Sequence, residues 1–576
     1  MDRGGQYQST GVSPGGGISV TKKTAWVQAS EADKARLAEA RSQTLWQALA
    51  AAAAIDPAHD ALVGADDAGD LRRLSYGELL ERAAQFSGGL ASIGVKRGDR
   101  VVLWMTNRLE WVISWLAAVR IGAVVVPVNT FLKPPEVAYC IAQSGARHLI
   151  CMDRFRRLDM LAVLDEICPE FGAQTAPGAL ASRSLPDLRN IVVFPREGTV
   201  PAGAHDWHAL AASGAQAVGE ADRMAAAVTP DDLIMVKYTS GSTGFPKGVM
   251  LQHGGWVACG LLHAERTGML GSDVYFSMMP FFHAGGSLYG LMSMLLRGGT
   301  LVFTEAFDTA LGVKLIAQER ATIFVSALGK EVVMAAFDAG LTFPSIRLAH
   351  VHNDAARVVM PNATFAFSPF GLTETYGPCS ITGPDDPAEC QMVTSGLPLP
   401  GNEIRVVDPE TGEDVGPGVV GEALIRGNTM VGYWNKPEET ARALDADGWF
   451  HSEDLVSVDE AGFVRFCGRI KLMAKVGGEN VSLEEVERVI CAHEAVTHCA
   501  TVQVADARKV EALRAYVVRR ADMALSDAEL LGWLKPRLAH FKLPREIAFV
   551  EALPRLGNEK LDRSQLREWA KEELAT

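Results

Sequence analysis

The sequence predicts an α/β fold, on two observations. Strand-like and helix-like patterns alternate through the first part of the chain, and the strand-like runs are almost wholly apolar. Val101-Val102-Leu103-Trp104, Val124-Val125-Val126-Pro127-Val128 and His148-Leu149-Ile150-Cys151 are runs of this kind. A strand apolar on both faces belongs in a parallel sheet with helices on either side. Between the first two runs, Val112, Trp115, Leu116 and Val119 fall at the i, i+3, i+4, i+7 spacing of a helix with one core-facing side.

Length and composition bound the rest. The 576 residues correspond to about four domain-sized units. With 48% apolar and 22% charged residues, the composition is that of a soluble globular protein. A formal charge of −14 argues against a nucleic-acid binder, which needs a basic surface to displace phosphate counterions. The nine scattered cysteines contain no C-x-x-C pair, a pattern that fits reduced thiols in a cytoplasmic protein and speaks against a zinc site. The most apolar long stretch, Val101 to Val128, carries Asn107, Arg108, Glu110 and Arg120, so no transmembrane segment is expected. The sequence carries no signature of oligomeric state.

Taken in order, residues 1–28 contain Gly4-Gly5 and Gly15-Gly16-Gly17, lack the apolar core of a signal peptide and read as a disordered tail. From Ala29 to about Ala54 the pattern is helical and alanine-rich. The alternating strands and helices follow. Residues 171–230 are rich in Ala, Ser, Pro and Gly around one strand, Ile191-Val192-Val193-Phe194, and read as an insertion and linker.

The stretch that organises the chain comes next. A buried strand, Leu233-Ile234-Met235-Val236, leads into Tyr238-Thr239-Ser240-Gly241-Ser242-Thr243-Gly244-Phe245-Pro246-Lys247-Gly248. Small side chains let backbone amides close on an anion, and such a concavity acts as fixed positive charge. Lys247 adds a cation. The loop differs from the common nucleotide loop, G-x-x-x-x-G-K-[ST], because glycine follows the lysine and no hydroxyl stands there for magnesium.

This stretch resembles the signature loop of the adenylate-forming enzymes: acyl-CoA synthetases, luciferases and the adenylation domains of peptide synthetases. The resemblance implies that Thr239, Ser240, Gly241, Ser242, Thr243, Gly244 and Lys247 hold the pyrophosphate end of ATP. Further motifs follow in family order. Asn107–Ala123 resembles the first core motif and is read as core packing. In Pro280-Phe281-Phe282-His283-Ala284-Gly285-Gly286 the resemblance puts His283 beside the carboxylate substrate, orienting the acid or shifting with the nucleotide; an acid already ionised at neutral pH needs no general base. Ser368-Pro369-Phe370-Gly371-Leu372-Thr373-Glu374-Thr375 is similar to the Y-G-x-T-E motif with Phe370 in the tyrosine place. It implies Phe370 and Gly371 against adenine, Thr373 near the α-phosphate and Glu374 as the Mg²⁺ ligand. Magnesium in such chemistry is held by one or two carboxylates plus phosphates and water.

The segment Ala349–Ala356 departs from the family, which has a G-G-A/S-P-type turn, a helix and a strand there, and its spacing to Phe370 is several residues short. Gly421–Gly427 and Gly432–Thr440 read as β-rich framework. In Gly448–Asp454, Asp454 is implied to accept hydrogen bonds from the ribose hydroxyls.

Gly468–Val481 resembles G-R-x-K-D-x-I-K-x-G-G-E-N-I, with Leu472 and Ala474 as departures. The resemblance makes Arg469 a ribose or phosphate ligand and Lys471 the pivot of a rotating C-terminal domain. It also places Lys475 at the cofactor and Gly477-Gly478 at the coenzyme A tunnel, where glycine permits close approach. Ser482-Leu483-Glu484-Glu485 reads as a capping box opening a helix with Val486, Val489 and Ile490 on one face. Strands Ala500–Val504 and Leu513–Val518 and a helix from about Ser526 complete a small α+β domain. In Leu553–Arg563, Lys560 matches the catalytic lysine, with Glu559 where glycine is usual.

The resemblance covers roughly residues 40–570. It implies a large N-terminal domain (29–469) of two α/β subdomains plus a small β-barrel, and a mobile α+β domain (470–576). It implies an AMP-forming acid–CoA ligase using ATP, Mg²⁺ and coenzyme A on a small-molecule carboxylic acid, fatty or aromatic in preference to acetate. Three other readings stay open: an adenylation enzyme loading a carrier protein, a luciferase-like oxygenase, and a non-catalytic nucleotide-binding scaffold.

Overall fold

The computed structural model describes residues 19–20, 24–66, 68–239, 246–325, 329–350, 353–476, 479–506, 510–538, 540–556 and 560–574. Two large sheets dominate the first 400 residues. One has eight strands, in the order His205–Asp206, Asn190–Phe194, His148–Met152, Arg100–Trp104, Val124–Pro127, Leu233–Thr239, Lys247–Gln252 and Gly432–Tyr433. Its first six strands run parallel and the last two pairings are antiparallel. The other has seven strands, from Thr364–Phe365 to Leu71–Ser75, and is parallel except for its last pair. The apolar runs read as parallel strands are all here.

The helix between the first two strands, Leu109–Arg120, differs from its expected form. All of its residues are buried, polar ones included. It is a core helix bridging the two sheets: Trp115 packs on Trp111, Trp111 on Phe281, and Phe281 on Phe303 of the second sheet, with ring centroids 5.5, 5.3 and 4.9 Å apart. Glu110 inside it is answered by Arg72 at 2.7 Å, since a buried carboxylate needs a partner.

The segment 171–230 is more ordered than an insertion or linker. Besides the strand Asn190–Phe194 it folds into helices Trp207–Gly214 and Val218–Ala226. The first crosses the helix Tyr76–Ser92 at backbone contact: a Cβ on Gly214 would lie 2.0 Å from the Gln85 carbonyl, and one on Gly88 2.2 Å from that of Gly214. The small residues that suggested a linker are what this crossing needs.

Trp26–Gln28, placed in the tail by the sequence, pairs with Ser19–Val20 and Glu403–Val407. These strands belong to a six-stranded antiparallel sheet with Gly421–Arg426, Phe450–Val458 and Val464–Arg469. It stands where a small barrel is expected. The short 349–356 region still supplies the family's elements in reduced form: strand Leu348–Ala349, helix Asp354–Val359 capped by Asn353, strand Thr364–Phe365.

The C-terminal region is a mixed five-stranded sheet of Met473–Val476, Glu479–Ser482, Val496–Asp506, Val510–Arg519 and Glu546–Phe549, with helices Leu483–Cys491, Asp527–Leu534 and Arg563–Leu574. Val486 and Ile490 are buried there. The capping box is half made: Ser482 Oγ accepts from the Glu485 amide at 3.2 Å, but the Glu485 carboxylate turns to Lys542 at 2.7 Å. The nine cysteines are free thiols. No helix among the described residues is long and apolar enough to cross a membrane.

Candidate active site

The phosphate-loop candidate is a hairpin tip. Leu233–Thr239 and Lys247–Gln252 pair antiparallel with Thr239 opposite Lys247. Ser240, Gly241, Ser242, Thr243 and Gly244 lie outside the described residues, so the loop is known by its two ends. The Lys247 ammonium stands 4.8 Å from the centre of the Tyr433 ring. Tyr433 belongs to the next strand and donates its hydroxyl proton to Glu374 Oε1 at 2.9 Å. The sequence reading put Tyr433 in framework. Only the pairing of Gly432–Tyr433 beside the hairpin brings it to Glu374, and nothing local in its sequence announces that.

Glu374 sits in a short 3₁₀ turn, Thr373–Thr375, directly after the strand Pro369–Leu372. The Thr375 hydroxyl ties this turn, accepting from the Leu372 amide and donating to the Gly377 carbonyl at 2.7 Å. Gly371 is required by the same fold: a Cβ there would lie 2.0 Å from the Gly377 oxygen. Phe370 is buried and stacks on Phe466 at 6.0 Å. Glu374 is 8% exposed. Burial raises its pKa, against the Tyr433 hydroxyl, Lys247 and Arg469, which favour the anion.

Asp454 and Arg469 are paired residues on neighbouring strands. A bulge presents Asp454: between the pairs Glu422–Leu455 and Leu424–His451, Ala423 alone faces Ser452, Glu453 and Asp454. Glu453 takes a positive φ of 57° there. Arg469 Nε lies 2.9 Å from Asp454 Oδ1. The N–H is not aimed at that oxygen, so the contact is charge pairing, and Oδ1 has no hydrogen-bond donor among the described residues. Asp454 is 2% exposed, and burial pushes its pKa to about 7; Arg469 opposes this, while Glu484, Glu374 and Glu453 reinforce it.

His283 and Lys560 are both exposed. Protein around the His283 ring lowers its pKa to about 4, with Lys237 and Lys560 adding repulsion. The imidazole is neutral at neutral pH. Lys560 is lowered by its surroundings and by Arg469, and raised by Glu374. A lysine near the C-terminus therefore shares one electrostatic neighbourhood with Glu374, Arg469 and His283.

The structure thus brings together Lys247, Glu374, Asp454, Arg469, His283 and Lys560, with Thr239, Phe370, Gly371 and Thr373 on the same supporting elements. Gly477 and Gly478 lie outside the described residues. Lys471 and Lys475 are described by backbone alone, in a 3₁₀ turn Ile470–Leu472 and the strand Met473–Val476. Among the described residues no group of three or more His, Cys, Asp or Glu side chains could hold a metal by itself. The sequence reading also passed over Lys237, a buried cation one residue from the loop's tyrosine.

The geometry agrees with comparisons to known proteins. The AMP-binding enzyme model matches residues 49–434, and the AMP-binding enzyme C-terminal domain model matches 485–560. The chain is 32% identical over 526 residues to 3-[(3aS,4S,7aS)-7a-methyl-1,5-dioxo-octahydro-1H-inden-4-yl]propanoyl:CoA ligase of Mycobacterium tuberculosis, covering 89% of this chain and 96% of that one. It is 32% identical to feruloyl-CoA synthase of Amycolatopsis sp, covering 86% and 93%. The solved anthranilate CoA ligase AuaEII, in complex with anthranoyl-AMP, superposes with a TM-score of 0.77 at 25% identity, covering 93% of this chain and 98% of the other. The chain belongs to the AMP-binding enzyme family, the adenylate-forming enzymes. Within it the chain sides with the AMP-forming acid–CoA ligases, a large N-terminal domain followed by a small C-terminal one.

Proposed function

We propose that this chain joins a fatty or aromatic carboxylic acid to coenzyme A at the expense of ATP, through an acyl-adenylate. A carboxylate oxygen attacks the α-phosphorus, the bond to pyrophosphate breaks and the acyl-adenylate forms. The thiol sulfur then attacks the acyl carbon, AMP leaves and the thiol proton passes to solvent. The observation that carries this reading is the convergence of Lys560 with Glu374, Arg469 and His283, since it sets two cations, Lys560 and Arg469, beside the proposed metal ligand and the residue that orients the acid.

Each residue has a role suited to its surroundings. Lys247, Thr239 and the loop after it bind the leaving pyrophosphate. Phe370 and Gly371 form the adenine wall and Thr373 faces the α-phosphate. The Asp454 oxygen that has no donor among the described residues is matched to a ribose hydroxyl. Lys560 stabilises the attacking carboxylate and the α-phosphate, mainly by positioning and charge. His283, neutral, orients the acid by hydrogen bonding.

Magnesium fits Glu374. Its pKa is raised by burial, so a cation would relieve a carboxylate that costs free energy to ionise. One such ligand suffices where phosphates and water complete the shell. Bound there, Mg²⁺ would offset phosphate charge; Tyr433 holds the carboxylate's orientation whether or not the metal is present.

A division at 469/470 is compatible with the separate matches of the two domain models, which end at 434 and begin at 485; Lys471 as pivot, Lys475 at the cofactor and Gly477-Gly478 at coenzyme A rest on the motif resemblance. Relatives named for feruloyl and medium-chain acids, and a solved neighbour named for anthranilate, support an aromatic or aliphatic acyl group. Nine free thiols suit a reducing compartment, and we place the protein in the cytoplasm.

The test is pyrophosphate and AMP release from Mg·ATP across a panel of acids, with and without coenzyme A. Turnover requiring one acid class and coenzyme A is expected. Pyrophosphate exchange without thiol-dependent AMP release would point to a carrier protein or oxygen as the acceptor. No reaction across the panel with nucleotide still bound would refute the ligase.

A further inference from the structure

Lys237 lies on the strand Leu233–Thr239, two residues before Thr239, and is 4% exposed. Its ammonium donates to Ser287 Oγ at 2.9 Å and stands 5.3 Å from the centre of the Trp256 ring. The Ser287 hydroxyl is already committed, donating to the His283 carbonyl at 2.8 Å. No carboxylate pairs with Lys237 among the described residues. Among the described residues the ammonium has one hydrogen-bond acceptor, a neutral one, and such burial is costly, because the lost hydration is returned neither by a counter-charge nor by filling its other two donors. Burial lowers its pKa to about 7.

The surroundings say where this cation points. Ser287 belongs to the helix Gly285–Met292, wound with i→i+5 bonds, a form that is rare and frequent at functional sites. The turn before it is held tightly: a Cβ on Gly286 would lie 2.2 Å from the Pro280 oxygen. His283 on that turn feels both Lys560 and Lys237. Lys560 is exposed and Lys237 is buried, and His283 lies within electrostatic reach of both. An acid held by its carboxylate at Lys560 and His283 would have Lys237 close by, joined to His283 through the Ser287 hydroxyl.

We propose that Lys237 is a specificity-determining residue, and that the acid this enzyme activates carries a second oxygen acceptor, a ketone or a carboxylate, which completes the ammonium's hydrogen bonds. This rests on the ligase reading above and names the substrate class within it. A plain acid would leave the buried donors unfilled, and sites built to hydrogen-bond a substrate group discriminate strongly against analogues lacking it.

The test uses the full chain, wild type and Lys237→Met, with octanoate, oxo-octanoate and octanedioate, and with phenylpropanoate and its para-acetyl and para-carboxy derivatives. The readout is kcat/KM for AMP release with coenzyme A. Wild type should favour one oxygen-bearing acid over its plain counterpart, and Lys237→Met should lower that ratio by about 100-fold. Whether the ketone or the carboxylate loses its advantage identifies the acceptor. An equal fall for every acid, or a wild-type preference for the plain acids, would overturn the proposal while leaving the ligase intact. If no acid of any kind reacts with ATP, the ligase reading itself fails. Should Lys237→Met not fold, Lys237→Gln keeps an N–H donor without charge: it must retain a ketone preference or lose a carboxylate preference, and an unchanged carboxylate preference would refute the role.

Discussion

Asp454 and Arg469 are directly opposed across an antiparallel ladder, with Arg469 Nε 2.9 Å from Asp454 Oδ1, yet the pair does not hold Asp454 ionised. Burial outweighs the guanidinium and places the Asp454 pKa near 7, with Glu484, Glu374 and Glu453 adding repulsion. The half-exposed arginine is screened by water, while Asp454 is enclosed.

That imbalance has a pH signature. The folded pKa of Asp454 lies above its unfolded value, so between about pH 4 and 7 the folded state holds the extra proton. Its contribution to stability is full below the unfolded pKa and is lost as pH rises through about 7. Asp454→Asn stays neutral throughout. The variant's melting temperature relative to wild type should therefore rise between pH 5 and pH 8 in the absence of ligand, while its KM for ATP increases through loss of the ribose acceptor. A melting difference independent of pH would contradict the placement of this carboxylate.

Tyr433 offers a separate check on Glu374. Its hydroxyl is the one hydrogen-bond donor to Glu374 Oε1 among the described residues. Tyr433→Phe keeps the ring under Lys247 and removes only that bond. Hydrogen bonds to charged groups contribute about 1.5–3 kcal/mol, and outer partners of a metal ligand change metal affinity about 10–100-fold. Titration of activity with Mg²⁺ should show a raised half-saturation concentration with little change in ATP affinity at saturating metal.

The crossing of helices Tyr76–Ser92 and Trp207–Gly214 is tested by one methyl group. Gly214→Ala would drive a Cβ to 2.0 Å from the Gln85 carbonyl and 2.5 Å from the Gly89 amide. Neither contact is with a flexible side chain, so the helices must separate. Overpacking of this kind costs about 1–3 kcal/mol. A lowered melting temperature is expected, with KM for ATP unchanged because neither helix carries a residue of the candidate site.

Continuous apolarity announced the parallel strands. Spacing alone misjudged Leu109–Arg120, because burial on all sides comes from the two sheets it bridges and erases the polar face. The glycine-rich crossing was read as linker because a close helix contact and a flexible segment share one composition. Motif residues were legible where their neighbours in sequence are also neighbours in the site, as in Phe370–Glu374. Tyr433 and Lys237 were not, since strand pairing and a distant helix put them in place. Lys237 had one visible signal, a lysine directly after the apolar run Leu233–Val236.

Lys560 carries the sharpest expectation. Its side chain is open to solvent, so its replacement removes little packing, and surface substitutions usually change stability by no more than about 0.5 kcal/mol. Its surroundings nonetheless lower its pKa, with Arg469 repelling it and Glu374 attracting it, which places the ammonium among the groups that would meet ATP. Positioned cations of this sort contribute about 10²–10³ in rate when they act only on the transition state. Lys560→Ala should then cut acid-dependent pyrophosphate exchange by that factor at unchanged melting temperature. Thioester formation from a pre-made acyl-adenylate and coenzyme A should fall far less, because no phosphoryl charge builds in that step. Equal losses in both half-reactions would mean that Lys560 holds the two domains together and takes no part in adenylation.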